Sequence, residues 1–270
     1  MPSTKASQMQ AFLIENSVRI SALQQKFAGH AINIDQTAMA VWLLHFDEAD
    51  WDLGLRFLDS VEYYSQPRIL DGCGVLHQQA MQLASAEGHS RVYVASFGSA
   101  GKSGEVILYN HKLRNNLSNS ELIRLTDLES LASDPTVGFI FVDDIVGSGE
   151  QAINTWQNIA WALNPKQNTV LAVHVAFQEG IDRIQSETRL QVVCLRYLLE
   201  SDKVFSPQNV CFTNPEKETL LRYCYAAGDS PKGYKELQAN VVFYYRAPDN
   251  AISILRSTNP NWKGLFARVL

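Results

Sequence analysis

An apolar segment that ends in two adjacent acids constrains this chain more than any other feature. The segment Phe139-Ile140-Phe141-Val142-Asp143-Asp144 leads, after two residues, into the small-residue turn Gly147-Ser148-Gly149. Its β-favouring residues predict a strand, and residues 150–163 after the turn are typical of a helix. A helix start presents unpaired N–H groups and the positive end of the helix dipole, so the turn predicts an anion site.

The two carboxylates extend this prediction from a phosphate to a sugar phosphate. Asp143 and Asp144 stand directly upstream of the turn, where they can accept hydrogen bonds from vicinal hydroxyls or hold a metal ion. A ribose 5-phosphate carries its hydroxyls and its phosphate in this arrangement. The pattern therefore indicates a site for a ribose 5-phosphate.

The remaining strands predict an α/β fold around a parallel sheet. Apolar runs are separated by helix-like segments, as in a sheet whose two faces are both covered by helices. The predicted strands are 91–97, 106–109, 137–142, 169–177, 190–198 and 240–245. His174 lies within one of them and is interpreted as a core or strand-end histidine.

The N-terminal part has a different character. Residues 1–88 lack long strand runs and predict helices, with Asp35 as the cap of the second and Pro215 in the first turn of a later helix at 215–227. We therefore predict a helical cap over residues 1–88 and an α/β core over residues 89–270, which ends in a C-terminal hood segment.

The acidic segment and its turn resemble the phosphoribosyl pyrophosphate (PRPP) signature of the type I phosphoribosyltransferases. The resemblance implies that Asp143 and Asp144 hold the ribose hydroxyls, while Ser148 and backbone N–H groups from Val146 to Glu150 hold the 5-phosphate. Glu150 is the nearby candidate for an acid or base.

Two positions depart from the family pattern. Gly147 stands where many members have Thr or Asp, and Gln151 stands where the closing Thr is usual. The first departure removes a side chain that some members use as a base, and the second removes a phosphate-binding hydroxyl. Binding of ribose and phosphate is therefore better supported than turnover.

A second glycine-rich turn, Gly98-Ser99-Ala100-Gly101-Lys102-Ser103-Gly104, follows the strand that ends at Phe97. By its resemblance to the type I phosphoribosyltransferases, this turn corresponds to the loop that binds the diphosphate in that family. It implies contacts from Phe97, Gly98 and Ser99 through the backbone, and from Lys102 as a charge, with Mg²⁺ neutralising the diphosphate. The polar residues 110–120 resemble the family's closing loop.

A P-loop nucleotide hydrolase is the main alternative fold. Gly101-Lys102-Ser103 matches the end of the P-loop motif, and the acidic strand matches the strand whose acid holds magnesium. Two features weigh against it. The first glycine of the motif would fall on Ser96, and residues 106–109 predict a strand where the motif requires a helix.

Within the superfamily, the chain resembles the phosphoribosyltransferase-like proteins of bacterial conflict systems, which act in anti-phage defence. This resemblance rests on the segments 41–46, 63–65, 233–234, 241–250 and 261–268 as well as on the two turns. It implies an effector that acts at ribose C1, with partner proteins from a defence operon. Arg246, Asp249 and Asn250 are expected to face the base. The alternative is a non-catalytic module of the same fold that senses a nucleotide or binds a toxin or partner.

Composition bounds the remaining classes. Hydrophobic residues make up 46% of the 270 residues and charged residues 19%, which is typical of a folded chain, and the formal net charge of -5 argues against general nucleic-acid binding. The four cysteines lack metal-site spacing and predict reduced thiols. No signal peptide or membrane span is expected, so the expected location is the cytoplasm.

Overall fold

The computed structural model describes residues 4–85, 91–98, 102–228 and 230–267. Contacts divide the chain into two units, which we call the sheet unit, Pro67–Leu199, and the terminal unit, Met1–Gln66 with Glu200–Leu270. This division differs from the predicted boundary near residue 88. A helix that begins at Gln66 groups with the sheet, and the C-terminal 71 residues, 200–270, group with the N-terminal helices.

The described elements alternate between helix and strand in the middle of the chain. The helices are α1 (Lys5–Glu15), α2 (Ser17–Lys26), α3 (Gln36–Leu43), α4 (Trp51–Ser60), α5 (Gln66–Ala84), α6 (Ser103–Asn115), α7 (Leu128–Leu131), α8 (Glu150–Ile159), α9 (Gln178–Glu187), α10 (Asn214–Ala227) and α11 (Ser253–Arg256). The strands are β1 (Glu62–Tyr64), β2 (Arg91–Ser96), β3 (Val137–Val146), β4 (Thr169–Phe177), β5 (Gln191–Leu198), β6 (Val241–Phe243), β7 (Thr258–Asn259) and β8 (Trp262–Lys263).

The sheet unit is built on four parallel strands in the order β2-β3-β4-β5. Phe141 is level with Ala95 on one side and with Leu171 on the other, so the carboxyl ends of the strands reach one edge together. Every residue of β4, and every residue of β3 except Ile145, is buried. The predicted α/β fold with a parallel sheet and flanking helices is therefore confirmed.

The predicted strand at residues 106–109 is wrong, because this segment lies within α6. Its buried positions follow a helical period through Ser103, Gly104, Ile107, Asn110 and His111. The helix also continues to Asn115, so most of the polar segment expected to form a closing loop is helical. The result removes one objection to the P-loop alternative, since a helix does follow the second glycine-rich turn.

The strand predicted at residues 240–245 is shorter than expected and does not belong to the four-stranded sheet. β6 covers Val241–Phe243 and pairs in parallel with β1, in a two-stranded sheet of the terminal unit. β1 itself falls within residues 1–88, where the sequence predicted helices. A strand of three residues has too little pattern to be read locally, and its partner lies about 180 residues away along the chain.

Two helices of the terminal unit begin where the sequence predicted, one at the cap Asp35 and one with Pro215 in its first turn. The side chain of Asp35 accepts a hydrogen bond from the N–H of Ala38 and caps α3. Thr213 and Glu216 form a capping box at α10, whose first turn contains Pro215. Within the described ranges, the helices include none that is both long and apolar enough to cross a membrane.

We expect the cap of α3 to contribute measurably to stability. Asp35→Ala should lower the free energy of unfolding by about 1 kcal/mol, because the N–H of Ala38 loses its acceptor at 2.8 Å. Asp35→Ser should retain most of that stability, since a serine hydroxyl caps in the same way. Urea denaturation of both variants measures the difference. Equal losses in the two variants would show that the side-chain bond is not the cause.

Candidate functional site

Two small-residue turns meet at the carboxyl edge of the sheet. One follows β2 at Gly98, and the other is the turn 147–149 between β3 and α8. Gly98 and Gly149 have φ angles of 118° and 75°, a region that favours glycine. A Cβ at Gly98 would lie 3.2 Å from the Nε2 atom of Gln151. Gly98, where the first turn begins, therefore lies beside Gln151, the closing position of the signature.

Asp143 lies between these turns and is surrounded by hydrogen-bond donors. The hydroxyl of Ser103 and the N–H of Asp144 both donate to its Oδ1 at 2.9 Å. The amide of Gln151 donates to its Oδ2 at 3.4 Å. Asp143 thus links the start of α6 to the start of α8.

Burial makes the charged form of Asp143 costly. Its residue is only 6% exposed, and burial, followed by the neighbouring charge of Asp144, raises the pKa of Asp143 well above its usual value. The donors from Ser103 and the Asp144 N–H act in the opposite direction but are the smaller effects. The edge of the sheet therefore holds a carboxyl group whose surroundings favour its neutral form.

Asp144 is even more buried, with 1% of its surface exposed. Its Oδ1 accepts a hydrogen bond of 2.8 Å from the N–H of Ile145, so the strand's own backbone holds one oxygen. Strand alternation directs neighbouring side chains to opposite faces of the sheet. The two carboxyl groups nevertheless interact, since a side-chain hydrogen bond with Asp144 also raises the pKa of Asp143.

The turn 147–149 is packed directly against α9. A Cβ at Gly180 would lie 2.0 Å from the carbonyl oxygen of Gly147, and a Cβ at Gly149 would lie 2.7 Å from the carbonyl oxygen of Gly180. These distances are too short for any side chain. Two backbones therefore support each other at this point, and the conformation of the turn depends on a glycine in the next helix.

The helix starts at this edge suit anions. α8 begins after Gly149, which has no side chain to cap it, so its first N–H groups need other acceptors. Lys102 is exposed and precedes α6. Ser148 and Glu150 are half-buried in and after the turn, and Val146 ends β3.

Phe97 has a structural role that the sequence did not indicate. Its side chain is buried and lies 5.2 Å, between ring centroids, from that of Phe141. Its N–H donates to the carbonyl oxygen of Val142 and extends the pairing of β2 with β3. Phe97 therefore supports the turn, and its backbone N–H is already hydrogen-bonded within the sheet. Ser99, its predicted neighbour in the diphosphate loop, lies outside the described residues.

The three predicted base-facing residues belong to the terminal unit. Arg246 pairs with Phe243 across a tight turn, Asp249 is exposed, and Asn250 is buried. The carbonyl oxygens of Asp249 and Asn250 accept backbone hydrogen bonds from Tyr234 and Ala239. Their predicted role toward a base stays a prediction.

Sequence reasoning missed Ser103 and Gly180 as members of the site. Ser103 was noted only as part of the P-loop alternative, and its place at the start of a helix after a glycine-rich turn was the available signal. Gly180 lies in the first turn of α9, where glycine is a poor helix former, and that position was its signal. Groups of three or more His, Cys, Asp or Glu that could hold a metal ion are not found within the described ranges.

Comparison with known families identifies the class of protein. The model of the family PRTase-CE matches residues 40–268, which is most of the chain. The chain therefore belongs to the PRTase-CE family, and it is phosphoribosyltransferase-like. None of the curated proteins matches it.

Solved phosphoribosyltransferases show distant similarity. An orotate phosphoribosyltransferase from Aeropyrum pernix has 15% identity and a TM-score of 0.31, over 46% of this chain and 69% of that chain. A hypoxanthine-guanine-xanthine phosphoribosyltransferase has 11% identity and a TM-score of 0.32, over 52% of this chain and 81% of that chain.

The burial of Asp143 predicts that this residue costs stability at neutral and alkaline pH. A carboxyl whose pKa is raised by folding contributes stability at low pH and loses it as the pH rises through the folded-state pKa. Asp143→Asn removes that loss and keeps an acceptor for Ser103. We expect its free energy of unfolding to exceed that of the wild type by about 1–3 kcal/mol at pH 8 and to be nearly equal to it at pH 4.

Urea denaturation at the two pH values measures this difference. Asp71→Asn is a matched control, because its side chain is 81% exposed and lies 4.0 Å from Arg114. It should change stability little at either pH. A destabilised Asp143→Asn protein at pH 8 would contradict the prediction and would mean that the carboxylate is held favourably as a charge.

Proposed function

We propose that the protein binds PRPP, or another ribose 5-phosphate nucleotide, together with Mg²⁺ and acts at ribose C1. The observation that carries this proposal is the meeting of two acids and two helix starts at one edge of a parallel sheet. Asp143 contacts both Ser103 of α6 and Gln151 of α8. Ligands of open α/β folds bind at such carboxyl edges.

The donor set of the edge suits the parts of this ligand. Asp143 and Asp144 would accept from the ribose hydroxyls, as the resemblance to the PRPP signature implies. The N–H groups of residues 146–150 and the hydroxyl of Ser148 would hold the 5-phosphate. The loop around Gly98, with Lys102, would hold the diphosphate, and Mg²⁺ would arrive with it, since phosphate oxygens and water supply most of its ligands.

The reaction proposed is substitution at C1. The bond from C1 to the diphosphate breaks, pyrophosphate leaves with the electron pair, and an incoming base or water forms the new bond and loses a proton. Glu150 is the nearby candidate to accept that proton. The sugar becomes cationic between these events, so the protein contributes by orientation and by negative charge around the ring. Bound Mg²⁺ supplies charge neutralisation at the leaving diphosphate.

A second function is favoured by Gln151. Its amide donates to Asp143, so a side chain that binds the protein's own carboxyl group stands where the signature usually has a threonine hydroxyl for the phosphate. A site whose acid already has protein donors suits a module that binds its ligand without turning it over. Such a module would sense a nucleotide or hold a partner protein.

We also propose a role in bacterial anti-phage defence, which the sequence resemblance supports. Neighbouring genes offer its simplest test, since a reverse transcriptase or an ATPase gene beside this one would place the protein in a defence operon. Loss of phage protection on deletion of the gene would then connect the protein with that role.

Binding of Mg·PRPP tests the proposed function directly. Isothermal titration calorimetry of the wild type should show saturable binding, and Asp144→Asn should weaken it at least tenfold, because a charged acceptor for the ribose is lost. Ser148→Ala should weaken it by a smaller factor. Asp71→Asn should bind as the wild type does, because that carboxylate is exposed and contacts Arg114.

An assay for pyrophosphate release with candidate bases separates the two functions. Release that depends on Asp144 supports the transferase, and tight binding without release supports the sensor. Absence of binding to Mg·PRPP and to ribose 5-phosphate nucleotides would overturn the proposed ligand class.

The support of the turn by α9 gives a second test. Gly180→Ala should lower the affinity for Mg·PRPP about tenfold, because its Cβ would meet the Gly147 oxygen at 2.0 Å and displace the phosphate turn. The variant changes no residue expected to contact the ligand. Ser186→Ala, on the exposed side of the same helix, is the control and should bind normally. Unchanged binding by Gly180→Ala would show that the turn does not hold the phosphate.

A further inference from the structure

A single ionisable side chain, His174, interrupts the apolar strand β4. All nine residues of β4 are buried, and His174 has 1% of its surface exposed. Burying an imidazole costs free energy unless neighbouring groups compensate for the lost water. Such a residue in an otherwise apolar strand requires a local partner.

The register of the sheet places that partner. Asp143 is level with Val173 and Ile145 with Val175, so Asp144 and His174 are level on adjacent strands. Level side chains of neighbouring strands project from the same face, with backbones about 5 Å apart. The charge of Asp144 raises the pKa of His174 and so favours its protonated form, as expected for a carboxylate close to an imidazole.

Helix α5 fixes the imidazole from the other side. Nε2 of His174 lies 3.5 Å from the sulfur of Cys73, which is fully buried. A Cβ at Gly72 would lie 2.8 Å from both Nδ1 and Cε1 of the ring. The helix therefore approaches the ring so closely that only glycine fits, and the ring has little freedom to turn.

The imidazole is neutral under ordinary conditions. Burial is the main cause that lowers the pKa of His174 to about 4, and the charge of Arg68 lowers it further. Burial also raises the pKa of Cys73 to about 12, so its thiol keeps its proton. A neutral, oriented ring provides polarity beside Asp144 without cancelling the charge of the carboxylate.

We infer that His174 is a positioning residue for Asp144. The sheet register sets it beside the carboxylate, and Cys73 and Gly72 of α5 hold its ring in place. Its role toward a ligand rests on the proposed function, in which Asp144 holds a ribose hydroxyl. Its role toward the carboxylate does not depend on any ligand.

The amide signal of Ile145 reports the position of Asp144 without a ligand, because this N–H donates to Asp144 Oδ1 at 2.8 Å. In ¹⁵N NMR spectra, His174→Leu should shift that signal and weaken Mg·PRPP binding about tenfold or more. His174→Gln should restore much of both, since an amide retains polarity. Gly72→Ala should give an intermediate effect, because the ring is displaced and not removed.

His77→Gln is the matched control. His77 is a half-buried histidine of the sheet unit, and its Nδ1 lies 3.0 Å from His111 Nε2. Its loss should lower the melting temperature but leave the Ile145 signal and the affinity near the wild-type values. Equal changes in the His77→Gln and His174→Gln proteins would overturn the inference in favour of general loosening. Where His174→Leu does not fold, Gly72→Ala and His174→Gln decide the question.

The proposed function and the positioning role of His174 can be refuted separately. A wild type that does not bind Mg·PRPP refutes the proposed function, while the Ile145 signal still decides whether His174 positions Asp144. A wild type that binds, with an Ile145 signal and an affinity unchanged in His174→Leu, refutes the positioning role and leaves the proposed function intact.

Discussion

The desolvation of two neighbouring carboxyl groups is the physical constraint on which this sheet edge depends. A chain optimised for stability alone would not place Asp143 and Asp144 at the buried end of a central strand, since each loses hydration and each repels the other. The structure compensates with directed donors, from Ser103 and from the backbone of β3 itself. Donors and acids of this kind, gathered at a strand end, are the arrangement of a binding site.

The same contacts bear on the choice between two phosphate-binding folds. In a P-loop protein, the hydroxyl after the lysine and the acid of a neighbouring strand share a magnesium ion. Ser103 and Asp143 are hydrogen-bonded at 2.9 Å, and α6 starts where a P-loop helix would start. The missing first glycine at Ser96 and the family match over residues 40–268 favour the phosphoribosyltransferase-like assignment. The turn 147–149, before α8, would bind a ligand only in the phosphoribosyltransferase-like assignment, since a P-loop protein does not need it.

The sequence predicted what depends on local patterns and missed what depends on distant contacts. β3 and β4 were predictable because both are continuous apolar runs, and the cap at Asp35 because its chemistry is local. α6 was misread because its buried face carries Ser103, Asn110 and His111, so a search for apolar residues finds only the β-favouring run at 106–109. The acids were found from their motif. Gly180 was not, because its importance comes from the Gly147 oxygen, which lies 33 residues away along the chain.

Asp143 and Asp144 interact with each other, but their other contacts differ, and this difference allows them different roles. Asp143 faces Gln151 of α8 and the hydroxyl of Ser103, so its partners are exchangeable donors near the edge. Asp144 is level with His174, whose ring is held by α5, so its surroundings are fixed. A ligand hydroxyl could replace Gln151 at Asp143 at little cost, whereas Asp144 offers a preset acceptor. In the proposed function, one carboxylate that adapts and one that is preorganised would bind two neighbouring hydroxyls of a ribose in a single orientation.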